Sequence, residues 1–265
     1  NPYPESGSIR REIFVEVTKD GEIVGVVMTR IPAFARPFAA FANPAKRPLY
    51  AQPYAFRLAL MLNLARFVAA AHKTGTIVLG DGLSPQNILF DRDKAIFLID
   101  VDSWPLRLGG ETYHCGLANS VFGAPELYSA DLRCFELRHP QDNWSLAVAI
   151  FQLGAGCHPF DRVKLHPTAP DRETLLLDGK WPLAPDADQG GVAPRPSVSP
   201  ELCPPDVWTL LRETFEQPGC TLDPSARPAA QQWVDALDAA AADQAFLKTI
   251  SAVENRLFNS YVNSA

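Results

Sequence analysis

GDGLSPQNILFDRDKAIFLIDVDSW, residues 80–104, is the stretch that decides the fold. Two short β-rich runs, Ile88-Leu89-Phe90 and Ala95-Ile96-Phe97-Leu98-Ile99, flank the turn-forming Asp91-Arg92-Asp93-Lys94, so a hairpin is predicted. Around it stand Asp81, Asn87 and Asp100. A carboxamide and a carboxylate are hard oxygen donors of the kind magnesium accepts, and another carboxylate can receive a hydroxyl proton. Phosphoryl transfer from a nucleotide needs both functions, because metal ions bridge the phosphate oxygens while the acceptor hydroxyl loses its proton.

The flanking sequence follows the same order of ideas. Ala124-Pro125-Glu126 lies downstream, then Asp142-Asn-Trp-Ser-Leu-Ala-Val-Ala-Ile-Phe-Gln-Leu with His158-Pro159-Phe160, then Asp223-Pro-Ser-Ala-Arg227-Pro228. The whole series resembles the protein kinase superfamily, whose catalytic loop H-R-D-L-K-P-x-N is followed by D-F-G and A-P-E. Asn87 and Asp100 are thirteen positions apart, the family's interval. The resemblance covers about residues 22–240 and implies an α+β, protein-kinase-like fold: a mostly α-helical large lobe with a remnant β-hairpin of the small lobe. It divides the chain into a partial small-lobe hairpin and hinge (1–33), a kinase-like large lobe (34–246) and a C-terminal tail (247–265).

The resemblance also assigns roles. Asp81 is the expected catalytic base, with Asn87 and Asp100 on Mg2+ and ATP as the phosphoryl donor. Val26-Val27-Met28-Thr29-Arg30-Ile31 resembles the strand and hinge between lobes. Met28 then stands as gatekeeper, the backbone of Thr29 and Ile31 meets adenine, and Leu89 forms the apolar floor beneath it. Glu126 and Arg227 are expected to form a buried ion pair, and Asp142 to accept from backbone N–H groups of the catalytic loop. Within the superfamily, Gly80-Asp81, Ile99-Asp-Val-Asp-Ser-Trp104 and Arg227-Pro-Ala-Ala-Gln-Gln-Trp-Val-Asp-Ala-Leu237 are similar to bacterial kinases encoded beside a phosphatase in tellurite- or stress-resistance clusters. Members of that group can end in a Cys/His zinc tail, but residues 247–265 hold neither Cys nor His, so no zinc is expected.

The chain departs from the family in two ways. It contains no Gly-rich phosphate loop and no V-A-I-K lysine, which predicts a truncated small lobe and weak nucleotide affinity for the chain as it stands. The interval from Asp81 to Asn87 is six where the family has five, and from His72 to Asp81 nine where it has eight. Either Gly82 absorbs the extra residue and returns Asp81 to the base position, or Gly82 occupies that position and no base is present. Asp102 stands in place of the D-F-G glycine, as a further carboxylate near the metals or as a turn cap. Gly80 stands where phosphorylation-controlled kinases carry Arg, so a phosphate on Thr112 or Ser120 is expected to find no partner there.

Elsewhere the pattern is that of a globular chain. Residues 12–31 predict a hairpin about Asp20-Gly21. Residues 53–72 predict a long amphipathic helix that Gly75 stops, and 144–153 a helix buried on all sides. Between Pro159 and Pro205 only 172–177 reads as helical, with further helices over 207–215 and 229–246. His114, His139, His158 and His166 read as ordinary surface or core residues, and Cys115 as a small buried hydrophobe.

A net charge of −6 without a basic stripe argues against a nucleic-acid partner. Five cysteines without a C-x-x-C pair suit reduced thiols in a cytoplasm. No stretch is expected to span a membrane, and no signal peptide is apparent. Three functions compete: a Ser/Thr kinase acting on a protein substrate with a phosphatase as partner, a pseudokinase serving as a nucleotide-sensing or protein-binding module, and a small-molecule phosphotransferase. The A-P-E, D-x-W-S and D-P-x-x-R-P segments weigh against the third.

Overall fold

Helix α1, Tyr54–Lys73, is built from a run so apolar that no single face can be called its buried one: Leu58, Leu60, Met61, Leu62, Leu64, Ala65 and Val68 are all buried. It begins after Pro53, where a missing N–H costs nothing, and ends where Gly75 takes φ +75° and donates to the His72 carbonyl at 3.0 Å. In length and composition α1 could cross a membrane, contrary to the expectation that no stretch approaches that requirement. Here its apolar residues are inside the fold, because α2, α5 and α6, defined below, pack around it.

The computed structural model describes residues 15–19, 22–27, 30–38, 40, 53–78, 86–99, 105–108, 111–113, 122–135, 138–185, 192–194, 198 and 200–263. Strands β1 (Val15–Lys19) and β2 (Glu22–Val27) pair antiparallel as the first hairpin. Strands β3 (Arg36–Pro37), β4 (Ile88–Phe90) and β5 (Ile96–Leu98) form a three-stranded antiparallel sheet in that order. Two-stranded ribbons follow, β6 (Leu106–Leu108) with β7 (Glu111–Tyr113), and β8 (Arg162–Lys164) with β9 (Val192–Pro194).

Further α-helices among the described residues are α2 (His139–Ala155), α3 (Arg172–Leu177), α4 (Pro205–Phe215), α5 (Ala230–Ala242) and α6 (Gln244–Asn263). The result is α-rich with a small antiparallel sheet, as an α+β class requires.

Helix α2 runs through the centre, with every residue from Gln141 to Leu153 buried. Gln141 Oε1 accepts from Arg138 N at 2.9 Å to cap its start, and Gly156 at φ +72° ends it. Arg57 on α1 closes the far end, donating to the carbonyls of Leu153 and Gly154 at 3.3 and 2.8 Å. Against α2 packs an aromatic cluster of Trp144, Phe151, Phe160, Trp181 and Phe215, with Trp144 and Phe215 edge to face at 5.1 Å. Such contacts add roughly 0.5–1.5 kcal/mol each beyond burial.

The single helix expected over 229–246 is two. Asp243 breaks it, its Oδ1 accepting from Phe246 N at 2.9 Å and so capping α6. Helix α6 then continues through the segment expected to be a tail.

Leu64 is fully buried where α1 meets the core. Leu64→Ala is expected to lower unfolding free energy by ~2–5 kcal/mol, because the site cannot collapse around the lost atoms. Urea denaturation of both proteins at one pH measures the difference.

Candidate functional site

The hairpin β4–β5 sets one wall of the site. Ile88 and Phe90 are fully buried while Leu89 between them is half-buried, so Leu89 points to the opposite face of the sheet from its neighbours. Leu89 lies across from Phe97 on one side and Pro37 on the other. Just before the strand, the Asn87 carbonyl accepts from Ile99 N at 3.0 Å, which extends the ladder by one pair beyond Ile88 and Leu98. Asn87 itself is 9% exposed.

Asn87 thus lies at one end of the hairpin, while Asp100 lies outside the described residues. A carboxamide is an oxygen donor of the kind magnesium accepts, the metal leaving most of its shell to phosphate and water.

The second wall is α2. Asp142, wholly buried on its first turn, accepts through Oδ2 from Val78 N at 2.6 Å and faces His72 Nε2 at 3.0 Å. Asp142 thus accepts from a backbone N–H just ahead of the segment 79–85, and the expected contact with the catalytic loop itself lies outside the described residues. Burial pushes the Asp142 carboxyl above the usual carboxylate range, against the opposing pull of His72, the Val78 N–H and His139.

Beneath these lies the Glu126–Arg227 pair. Arg227 donates from Nη1 to Glu126 Oε1 and from Nη2 to Oε2, both at 2.8 Å, a two-pronged match of guanidinium to carboxylate. The guanidinium also donates to the carbonyls of Gly219, Cys220 and Pro140, and lies 5.0 Å from the Trp144 ring centroid. Gln141 Nε2 donates to Glu126 Oε1 at 2.7 Å, and Ser145 Oγ to the Phe122 carbonyl at 2.9 Å. The expected ion pair is thus present, with Arg227 fully buried and Glu126 at 22% side-chain exposure.

Of the residues proposed from sequence, Asn87 and Leu89 are placed on the hairpin, and Ile31 is half-buried. Asp81, Asp100, Met28 and Thr29 lie outside the described residues, as do Gly80, Gly82, Asp102, His114, Cys115 and Ser120. Sequence reasoning missed Gln141 and Ser145 as partners of the 122–128 segment. It also used His72 only as a spacing marker and dismissed His139, whose ring stacks on His72 at 4.0 Å between centroids.

No family model matches the chain. Two curated proteins named protein kinase YegI, from Escherichia coli O157:H7 and Escherichia coli strain K12, are each 30% identical to it over 226 residues, 83% of this chain and 34% of theirs. The comparison supports a protein-kinase-like family. The chain spans about a third of the length of these curated relatives.

Removing one side of the buried pair strands the other. Glu126→Ala is expected to cost ~3–5 kcal/mol, measurable by chemical denaturation. Burial pushes the Glu126 carboxyl up, but the hydrogen bonds and charge of Arg227, with Gln141, outweigh it and hold the group below its ordinary value. Its contribution is therefore present above the ordinary carboxylate value and disappears as pH falls through that value toward the folded one. Stability measured from pH 7 downward should fall more steeply there in wild type than in Glu126→Gln.

Proposed function

We propose that the intact protein transfers the γ-phosphoryl group of ATP to serine or threonine hydroxyls of a protein substrate. Asp81 receives the hydroxyl proton, and Asn87 with Asp100 holds magnesium. The observation that supports this reading is the Asn87–Ile99 backbone pairing, which fixes Asn87 at the end of the β4–β5 hairpin. Magnesium, when bound, supplies charge neutralisation across the phosphate oxygens. The chain's own residues orient it: Asn87 is fixed by the strand ladder, and Val78 by Asp142, so the segment carrying Asp81 has both ends held.

Leu89, half-buried between two buried neighbours, suits an apolar floor for adenine. Met28 as gatekeeper and the backbone of Thr29 and Ile31 as adenine partners rest on the resemblance alone. The narrower likeness, to bacterial stress-resistance kinases with a phosphatase partner in the cytoplasm, belongs to the same proposal. A second reading, a pseudokinase that senses nucleotide or binds a protein, is favoured by the six-residue interval from Asp81 to Asn87, which can place Gly82 where the base should be.

Asp81→Asn in the intact protein is expected to lower phosphate transfer from labelled ATP by about 10²–10⁴ while leaving ATP affinity in place. Asp100→Ala should remove the magnesium dependence of ATP binding, read by titration with and without the metal. Transfer undiminished in Asp81→Asn would sink the base assignment. Magnesium-dependent binding without transfer in wild type would establish the pseudokinase reading.

A further inference from the structure

His72 and His139 belong to no step of the proposed transfer, yet His72 shares with Val78 the Asp142 oxygen just ahead of segment 79–85, and His139 stacks on His72. His72 is in the last turn of α1 and His139 is the first residue of α2. Their rings are nearly parallel, 10° between planes and 4.0 Å between centroids. His72 Nε2 lies 3.0 Å from Asp142 Oδ2, the same oxygen that accepts from Val78 N. Asp142 is wholly buried, the His72 side chain is 11% exposed, and Asp142 Oδ1 has no hydrogen-bond partner among the described residues.

These contacts constrain where protons can sit. A proton on Oδ1 would be a buried hydroxyl lacking an acceptor, so an ionised carboxylate facing a donating His72 Nε2 satisfies more groups. That single carboxylate can balance one positive ring. A second proton, on His139, puts two cations face to face with 4.0 Å between ring centroids. In agreement, burial and then His72 hold His139 below the ordinary histidine value, while Asp142 pulls the other way. The neighbouring cations in sequence, Lys73 and Arg138, are exposed, and the other charges at the first turn of α2, Glu126 and Arg227, are paired with one another.

We propose that His139 is a positioning residue: stacked on His72 it permits one proton in the pair, and a second proton in acid drives the rings apart and frees Val78 from Asp142. The coupling between the rings stands on its own; that the segment so released carries the reaction rests on the phosphoryl-transfer reading. The sign follows from His139 being held low. Its contribution is present above the ordinary histidine value and is lost as pH falls through that value toward the folded one. Asp142, held high, acts in the opposite sense, so the test compares variants that change His139 or its neighbour alone.

The measurement is an NMR titration of the imidazoles in the full chain, with amide exchange of Val78 compared against Leu64. His72→Gln keeps a donor toward Asp142 but removes the competing charge, and is expected to raise the proton affinity of His139 about tenfold or more, the coupling at which two sites titrate as a pair. His72→Asn serves the same purpose should the longer amide unsettle the fold. His139→Phe keeps a flat ring without a charge, and is expected to abolish the acid-induced loss of Val78 protection relative to Leu64. A His139 titration that moves less than about twofold in His72→Gln would overturn the coupling. An unchanged Val78 profile in His139→Phe would overturn the positioning role. Absence of phosphate transfer by the intact protein would leave both results as they are.

Discussion

A buried guanidinium is tolerable only if nearly all of its donors are met, and Arg227 meets that demand by drawing three pieces of chain to itself. Glu126 comes from about a hundred residues upstream, Pro140 from the start of α2, and Gly219 and Cys220 from the turn before it. The segments of Glu126 and of Gly219 and Cys220 belong to no α-helix or strand that would hold them. The cost of leaving the charge unmatched fixes them instead. Through Gln141, the same carboxylate that satisfies Arg227 is tied to the residue that caps α2, so the helix start and the 122–128 segment cannot move separately.

That arrangement sets α2 as a post from which the site is hung. One turn of it carries Gln141 toward Glu126, Asp142 toward Val78 and His72, Trp144 under Arg227, and Ser145 toward Phe122. Gln141 and Ser145, one turn apart, both face the 122–128 segment, while Asp142 and Trp144 face other neighbours, so all four are buried although three of them are polar. A polar turn inside a core is stable only when its partners are present.

Much of this was legible in the sequence, for reasons that differ by element. The hairpin β4–β5 was legible because two β-rich runs bracket a turn, and α2 because an unbroken apolar run has to lie in a core. The break at Asp243 was not, since the alanines from 239 to 242 carry no periodicity that could register a change of helix axis. Nor was the true character of α1: its composition suits a lipid environment as well as a protein core, and only the packing of α2, α5 and α6 about it separates the two. At the site, the Glu126–Arg227 pair followed from the family likeness. The His72–His139 stack did not, because it joins the end of one helix to the start of another and no local spacing reports that meeting.

Both described ends that flank the segment 79–85 are fixed in register. Slipping β4 by one position would send Ile88 and Phe90 out of the core and bring Leu89 in, inverting a strand whose two outer residues are fully buried. The Asn87–Ile99 bond adds a further lock on that register. At the other end, Val78 is fully buried and tied to a carboxylate that is itself buried on α2. Neither end can yield by a residue without breaking a satisfied contact.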